Sequence, residues 1–213
     1  MPEDVKVPHL VRVMGLDPST TNMGVFVVDI NLSKRTPFEL VYANTIYGDK
    51  VVYDIPVQFD DTAGTGVMAR SFGLARSLGT LIDIYAPDSG ICEDNFLGAS
   101  PGTFKNLIMF VSGVRNEFVN RGTHLSYVLP MVAKDVVGAA FKGTQKEDVR
   151  KGLLAYPHLD AKGIDLTLLD EHSVDAGAVT LYRAEIIAKQ YGVWSDDKTG
   201  GNAIGPSKWD RRK

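Results

Sequence analysis

Apolar residues alternate with other residues in short runs through the first fifty positions, then recur at three- and four-residue intervals, so strands give way to helices. Val11, Val13 and Leu16 predict a buried strand, Met23 to Ile30 a second joined to it by a hairpin, and Phe38 to Ile46 a third, antiparallel to the second. The 48–66 connection is polar and acidic, with Asp49, Asp54, Asp60 and Asp61, and reads as an insertion or flexible loop. Met68, Phe72, Leu74, Ala75, Leu78, Leu81 and Ile82 predict a helix from Val67 to Tyr85, stopped before Pro87. A turn leads into a short fourth strand, Ile91 to Asp94. Pro101 opens a second helix running to about Asn120. Its apolar face, spanning Phe104, Leu107, Ile108, Val111, Val114, Phe118 and Val119, is wide for a helix with one neighbour. His124 to Leu129 reads as a further strand, and a helix opens at Pro130. Thr144 and Glu147 have capping-box spacing for another helix. Residues 155–170 are punctuated by Pro and Gly like a loop, and Ser173 to Tyr191 is the last amphipathic helix. The 192–213 segment, with Lys208, Arg211, Arg212 and Lys213, reads as a basic and partly flexible tail after one domain over 1–191.

Composition narrows the class. With 213 residues, 44% of them hydrophobic and 23% charged, the chain matches an average globular protein, against disorder throughout and against membrane spanning. The apolar runs are strand-length, and the opening MPEDVKVPHL lacks the layout of a signal peptide, so a cytoplasmic location without membrane attachment is expected. The single cysteine, Cys92, rules out an internal disulfide and fits a reducing compartment; with four histidines it leaves no thiolate zinc cluster. A net charge of −3 argues against a globally basic nucleic-acid binder. Any such role must rest on local patches and on cations. Lys134, Lys142, Lys146, Arg150 and Lys151 supply one patch, against Asp135, Glu147 and Asp148.

Three acids fall at comparable points. Asp17 ends the first strand, Glu93 ends the fourth, and Asp175 starts the last helix. If the first and fourth strands are parallel neighbours, two of these strand ends adjoin and the helix start closes over them. Each acid also has an ordinary reading: Asp17 as turn chemistry in DPSTT, Glu93 as an exposed strand end, Asp175 as a partner of the helix dipole. Taken together, close carboxylates repel, and a shared divalent cation with oxygen ligands, Mg²⁺ or Mn²⁺, is their natural counter-charge. His172, three residues before Asp175, can add a nitrogen ligand or hold a water. Phe96, on the loop after Glu93, reads either as a core anchor or as a wedge that stacks on unpaired bases.

These pieces resemble the RuvC-type Holliday junction resolvases of the RNase H-like superfamily. The resemblance rests on GLDPSTTNMGVFVV (15–28), PDSGICEDNF (87–96), VAKDVVGAAFKGTQKEDV (132–149) and EHSVDAGAVTLYRAE (171–185), in the family's order. It implies an α/β, RNase H-like fold: a mixed five-stranded sheet, three strands antiparallel and then parallel strands, flanked by helices. It implies that Asp17, Glu93, His172 and Asp175 are the catalytic, metal-holding residues, with two Mg²⁺ ions about 4 Å apart per site and Mn²⁺ as a substitute. Lys134 and Lys146 fall where family lysines meet DNA and Phe96 where an aromatic meets bases at the junction; Lys142 and Arg150 join them as phosphate contacts through the local charge excess. The helix around Phe104 to Val119 would be a homodimer interface. The family glycine after DP is Ser19 here, and the 48–66 connection is longer than usual. The expected activity is a bacterial or phage endonuclease that resolves four-way junctions by paired symmetric nicks, leaving 5′-phosphate and 3′-hydroxyl ends. A broader branched-DNA, flap or replication-fork nuclease is the nearest alternative. An actin-like ATP phosphotransferase, which would use DPSTT as a phosphate loop, is a more distant one.

Overall fold

The computed structural model describes residues 9–33, 38–51, 65–94 and 101–193. Phe96, most of the expected insertion (52–64) and most of the expected tail (194–213) lie outside the described residues.

Strand β1 (Leu10–Pro18) pairs antiparallel with β2 (Asn22–Asn31), and β2 antiparallel with β3 (Phe38–Tyr47). On the other side of β1, β4 (Ser89–Glu93) runs parallel to it, and β5 (His124–Val128) runs parallel to β4. These are the five expected strands in the expected mixed arrangement. A sixth, β6 (Leu159–Asp160), pairs with Phe38 and Glu39 inside the segment that reads as a loop, and completes the order β5-β4-β1-β2-β3-β6. Two residues are too few for alternation to signal a strand.

Alternation along β1 sends successive side chains to opposite faces of the sheet. Val11 and Val13 join one core with Phe26, Val28 and Ile30, while Met14 and Leu16 join another with Met23, Val25 and Val27. The helices divide accordingly. Helices α1 (Thr65–Tyr85) and α2 (Pro101–Asn120) close the second core through Leu74, Leu78, Phe110, Val114 and Phe118. Helix α5 (Glu171–Gln190) lies over the first, backed by α3 (Pro130–Val136) and α4 (Lys146–Leu154). Each large apolar side chain so buried contributes about 1.5–3 kcal/mol. The wide apolar face of α2 is divided: Phe110, Val111, Val114 and Phe118 are buried, whereas Ile108, Met109 and Val119 are exposed.

Gly15 is what lets α5 lie close on β1. A Cβ there would fall 2.1 Å from Thr180 Oγ1, and that hydroxyl is already bonded to the carbonyls of Ala176 and Phe26. The capping box of α4 sits one residue later than its spacing indicates: Gln145 is the cap and Asp148 its reciprocal partner. Thr144 Oγ1 turns instead to the carbonyls of Ala139 and Phe141 and closes the preceding turn. Among the described residues no helix is long and apolar enough to cross a membrane.

Candidate active site

The parallel pairing of β1 with β4 sets Leu16 beside Cys92, so the next residues, Asp17 and Glu93, end adjacent strands at the same level. Both follow core residues, and both project toward the face that carries α5. Across the hairpin Asp17 is in register with Gly24, and Gly24 with Thr45. One row therefore crosses the sheet beneath the start of α5.

His172 and Asp175 enter from α5. His172 Nδ1 lies 2.8 Å from Asp17 Oδ2 and forms an ion pair with it when protonated. That bond raises the imidazole's affinity for a proton, against the opposing effect of burial. Lys134 reaches from α3 and donates to Asp175 Oδ2 at 3.4 Å. Burial raises the pKa of Asp175, and Lys134 works against the shift. Glu93 Oε2 is buried without a hydrogen-bond partner among the described residues. Burial first, then the negative charge of Asp17, push the pKa of Glu93 up to about 8; Lys134 and His172 act on it through their charge, lowering it, but do not prevail.

Sequence reasoning named Asp17, Glu93, His172 and Asp175, and the structure brings all four to one end of the sheet. Among the described residues no three Asp, Glu, His or Cys side chains stand, as placed, close enough to hold a metal ion. The chemistry of the donors nevertheless fits a hard divalent cation, because three carboxylates crowd together and one of them keeps an orphaned oxygen.

The basic residues are distributed more widely. Lys146 pairs with Glu171 beside His172. Arg150 donates to the carbonyl of Thr167 at 3.3 Å and pairs with Glu147 at 3.7 Å. Together Lys146, Glu147, Arg150, Asp170, Glu171 and Val174 line a cleft next to the acids. Lys142 is exposed on the connection from α3 to α4. Lys134, expected as a DNA contact, lies within the acidic cluster on Asp175.

Sequence reasoning missed the polar group under the first turn of α5. Asp170 caps that helix by accepting from Ser173 N at 3.0 Å, from Thr45 Oγ1 at 2.5 Å and from Tyr47 Oη at 2.8 Å. Burial opposes ionisation of Asp170, but these bonds outweigh it and lower its pKa. The spacing Asp170-x-x-Ser173 was a usable cap signal; nothing in the sequence linked it to Thr45.

No protein-family model matches the chain, and no curated protein matches it. Solved structures do. The chain is a mixed α/β protein with acids level on β1 and β4. It is similar to RuvC of Thermus thermophilus, solved with a Holliday junction substrate: TM-score 0.57, 16% identity, over 86% of this chain and 97% of that one. It is also similar to the yeast mitochondrial Holliday junction resolvase Ydc2: TM-score 0.61, 11% identity, over 88% of this chain and 84% of that one. The chain has the fold of the RuvC-type resolvases.

Proposed function

We propose that this chain is a divalent-metal-dependent endonuclease that resolves four-way DNA junctions by paired symmetric nicks. The observation that carries the reading is the level placement of Asp17 and Glu93 beneath His172 and Asp175, with one carboxylate oxygen buried and without a partner among the described residues. Repelling acids at strand ends are costly unless a ligand uses them. The fold is similar to that of RuvC, solved with its junction substrate, and of the fowlpox virus resolvase, solved with Holliday junction DNA, which supports the substrate class.

Asp17, Glu93, Asp175 and His172 would hold Mg²⁺, or Mn²⁺ in its place, which when bound supplies an activated water and stabilises the leaving 3′-oxygen. The chain's own part is positioning and charge. The imidazole of His172 fixes the orientation of the Asp17 carboxylate. Lys134 offsets the negative charge of the cluster. Lys146 and Arg150 bind backbone phosphates along the neighbouring cleft and the exposed Lys142 adds to them, so affinity falls steeply with salt. Phe96 stacks on unpaired bases at the junction. The exposed Ile108, Met109 and Val119 of α2 (43%, 42% and 60% accessible) form the contact of a homodimer, whose two-fold axis matches two opposed nicks. The lone buried thiol of Cys92 suits the reducing cytoplasm of a bacterium, where a phage gene would also be expressed.

The test is cleavage of synthetic four-way, three-way and flap DNA in Mg²⁺ and in chelator. The proposal expects metal-dependent cutting with four-way DNA preferred. Equal cutting of all three would replace it with a general branched-DNA nuclease, and tight ATP binding without DNA affinity would replace it with a phosphotransferase.

A further inference from the structure

Three residues in register across β1, β2 and β3 meet the first turn of α5 at three different points. Asp17 meets His172 through its side chain. Gly24 meets the backbone: a Cβ there would lie 2.0 Å from the carbonyl oxygen of His172, so the helix start rests directly on β2. Thr45 meets the cap, its hydroxyl bonded to Asp170 Oδ1 at 2.5 Å and to Ser173 Oγ at 2.7 Å. Thr45 is 5% accessible and Ser173 1%. Among the described residues these hydroxyls bond to one another, and that of Thr45 to Asp170, so each member of the group orients the next.

We infer that Thr45 and Asp170 are positioning residues that seat the first turn of α5 on the sheet, so that His172 and Asp175 face Asp17. A helix cap needs only Asp170 and the Ser173 amide. The bonds from Thr45 and Tyr47 add nothing to helix initiation, but they fix the cap against β3 and thereby the rotation and height of the helix start. Residue 172 lies within that turn and residue 175 immediately follows it. A shift of about 1 Å there separates groups whose chemistry depends on their spacing and costs on the order of a hundredfold in rate. Gly24 supplies the close approach and Thr45 the lateral lock.

This inference rests on the proposed function, its calorimetric arm on the metal site and its activity arm on cleavage. The variants are Thr45→Val, which keeps shape and removes the hydroxyl; Thr45→Ser, which restores it; and Asp170→Ser, which still caps the helix but is too short to span to Thr45 and Tyr47. Each is measured below its own melting temperature for Mn²⁺ affinity by calorimetry, for junction affinity in chelator, and for cleavage of a four-way junction. Thr45→Val and Asp170→Ser are expected to weaken Mn²⁺ binding about tenfold and to lower kcat by about tenfold to a hundredfold with junction affinity within about twofold. Thr45→Ser is expected to recover most of both. If Thr45→Val does not fold, Asp170→Ser carries the test. Wild-type Mn²⁺ affinity and kcat in Asp170→Ser or Thr45→Val would overturn the inference, as would Thr45→Ser failing like Thr45→Val. A wild-type protein that binds Mn²⁺ and cuts no DNA overturns the nuclease reading, and the calorimetric arm still decides the seat. Absence of both binding and cleavage overturns both.

Discussion

Strand β1 carries charge at both of its ends, and the two ends are built differently. Near its start, Arg12 is in register with Asp29 and forms two bonds with it, Nε to Oδ1 at 2.7 Å and Nη2 to Oδ2 at 2.8 Å. Arg12 Nη1 donates to the carbonyl of Tyr85 at the end of α1, and the Arg12 amide donates to Asp88 at 2.8 Å. The acids there are met by donors from the protein itself. At the other end Asp17, Glu93 and Asp175 share one lysine and one histidine, and Glu93 Oε2 has no donor among the described residues. Native structures seldom leave a buried charged oxygen unmatched. An acid paired inside the fold serves stability; under the proposed function, the acids left short of counter-charge serve a ligand.

Substitutions break this comparison in opposite ways. Asp17→Asn is expected to leave melting close to wild type and to lower four-way-junction cleavage by about a thousandfold or more; wild-type cleavage would remove Asp17 from the site. Asp29→Ala is expected to do the reverse. It strands a half-buried Arg12, costs about 2–3 kcal/mol and lowers Tm by several degrees, with cleavage unchanged where the protein is folded. Loss of activity without loss of stability would erase the contrast between the ends.

A further effect comes from pH. The folded pKa of Glu93, about 8, lies above its ordinary 4.5. The native state thus favours the protonated acid, and its stabilising contribution is complete below about 4.5 and lost as pH rises through about 8. Metal-free protein should lose on the order of 4 kcal/mol across that window. Added Mg²⁺ should restore most of it, and Glu93→Gln should flatten the profile. Chemical denaturation at pH 5 and pH 8.5 measures this, and an unchanged slope in Glu93→Gln would assign the loss to another group. Smallest of all, Lys146→Ala should weaken junction binding a few-fold and reduce the salt slope by about one. An unchanged slope would show that Lys146 serves only Glu171.

The two ends were unequally legible in the sequence. Asp17 and Glu93 could be placed because apolar runs end just before them, and His172 and Asp175 because helical spacing puts them on one face. The Arg12–Asp29 pair is set by strand register, which the hairpin determines and alternation alone does not reveal. Thr45 and Asp170 are 125 residues apart, and a hydroxyl on a strand carries no periodic signal that would join it to a distant helix cap. The cap of α4 was placed one residue early because Thr144-x-x-Glu147 and Gln145-x-x-Asp148 are overlapping patterns, and only the turn preceding the helix selects between them. The contact of Lys134 with Asp175 was not legible for a similar reason: it depends on how α3 packs on α5, which no local pattern encodes.

The most direct measurement is to map the cuts on all four strands of a mobile four-way junction incubated with Mg²⁺ and the wild-type chain. The account predicts nicks at symmetric positions on two opposed strands, with 5′-phosphate and 3′-hydroxyl ends, none of them in chelator. Cuts confined to one strand, ends of the other polarity, or undiminished cutting in chelator would contradict it.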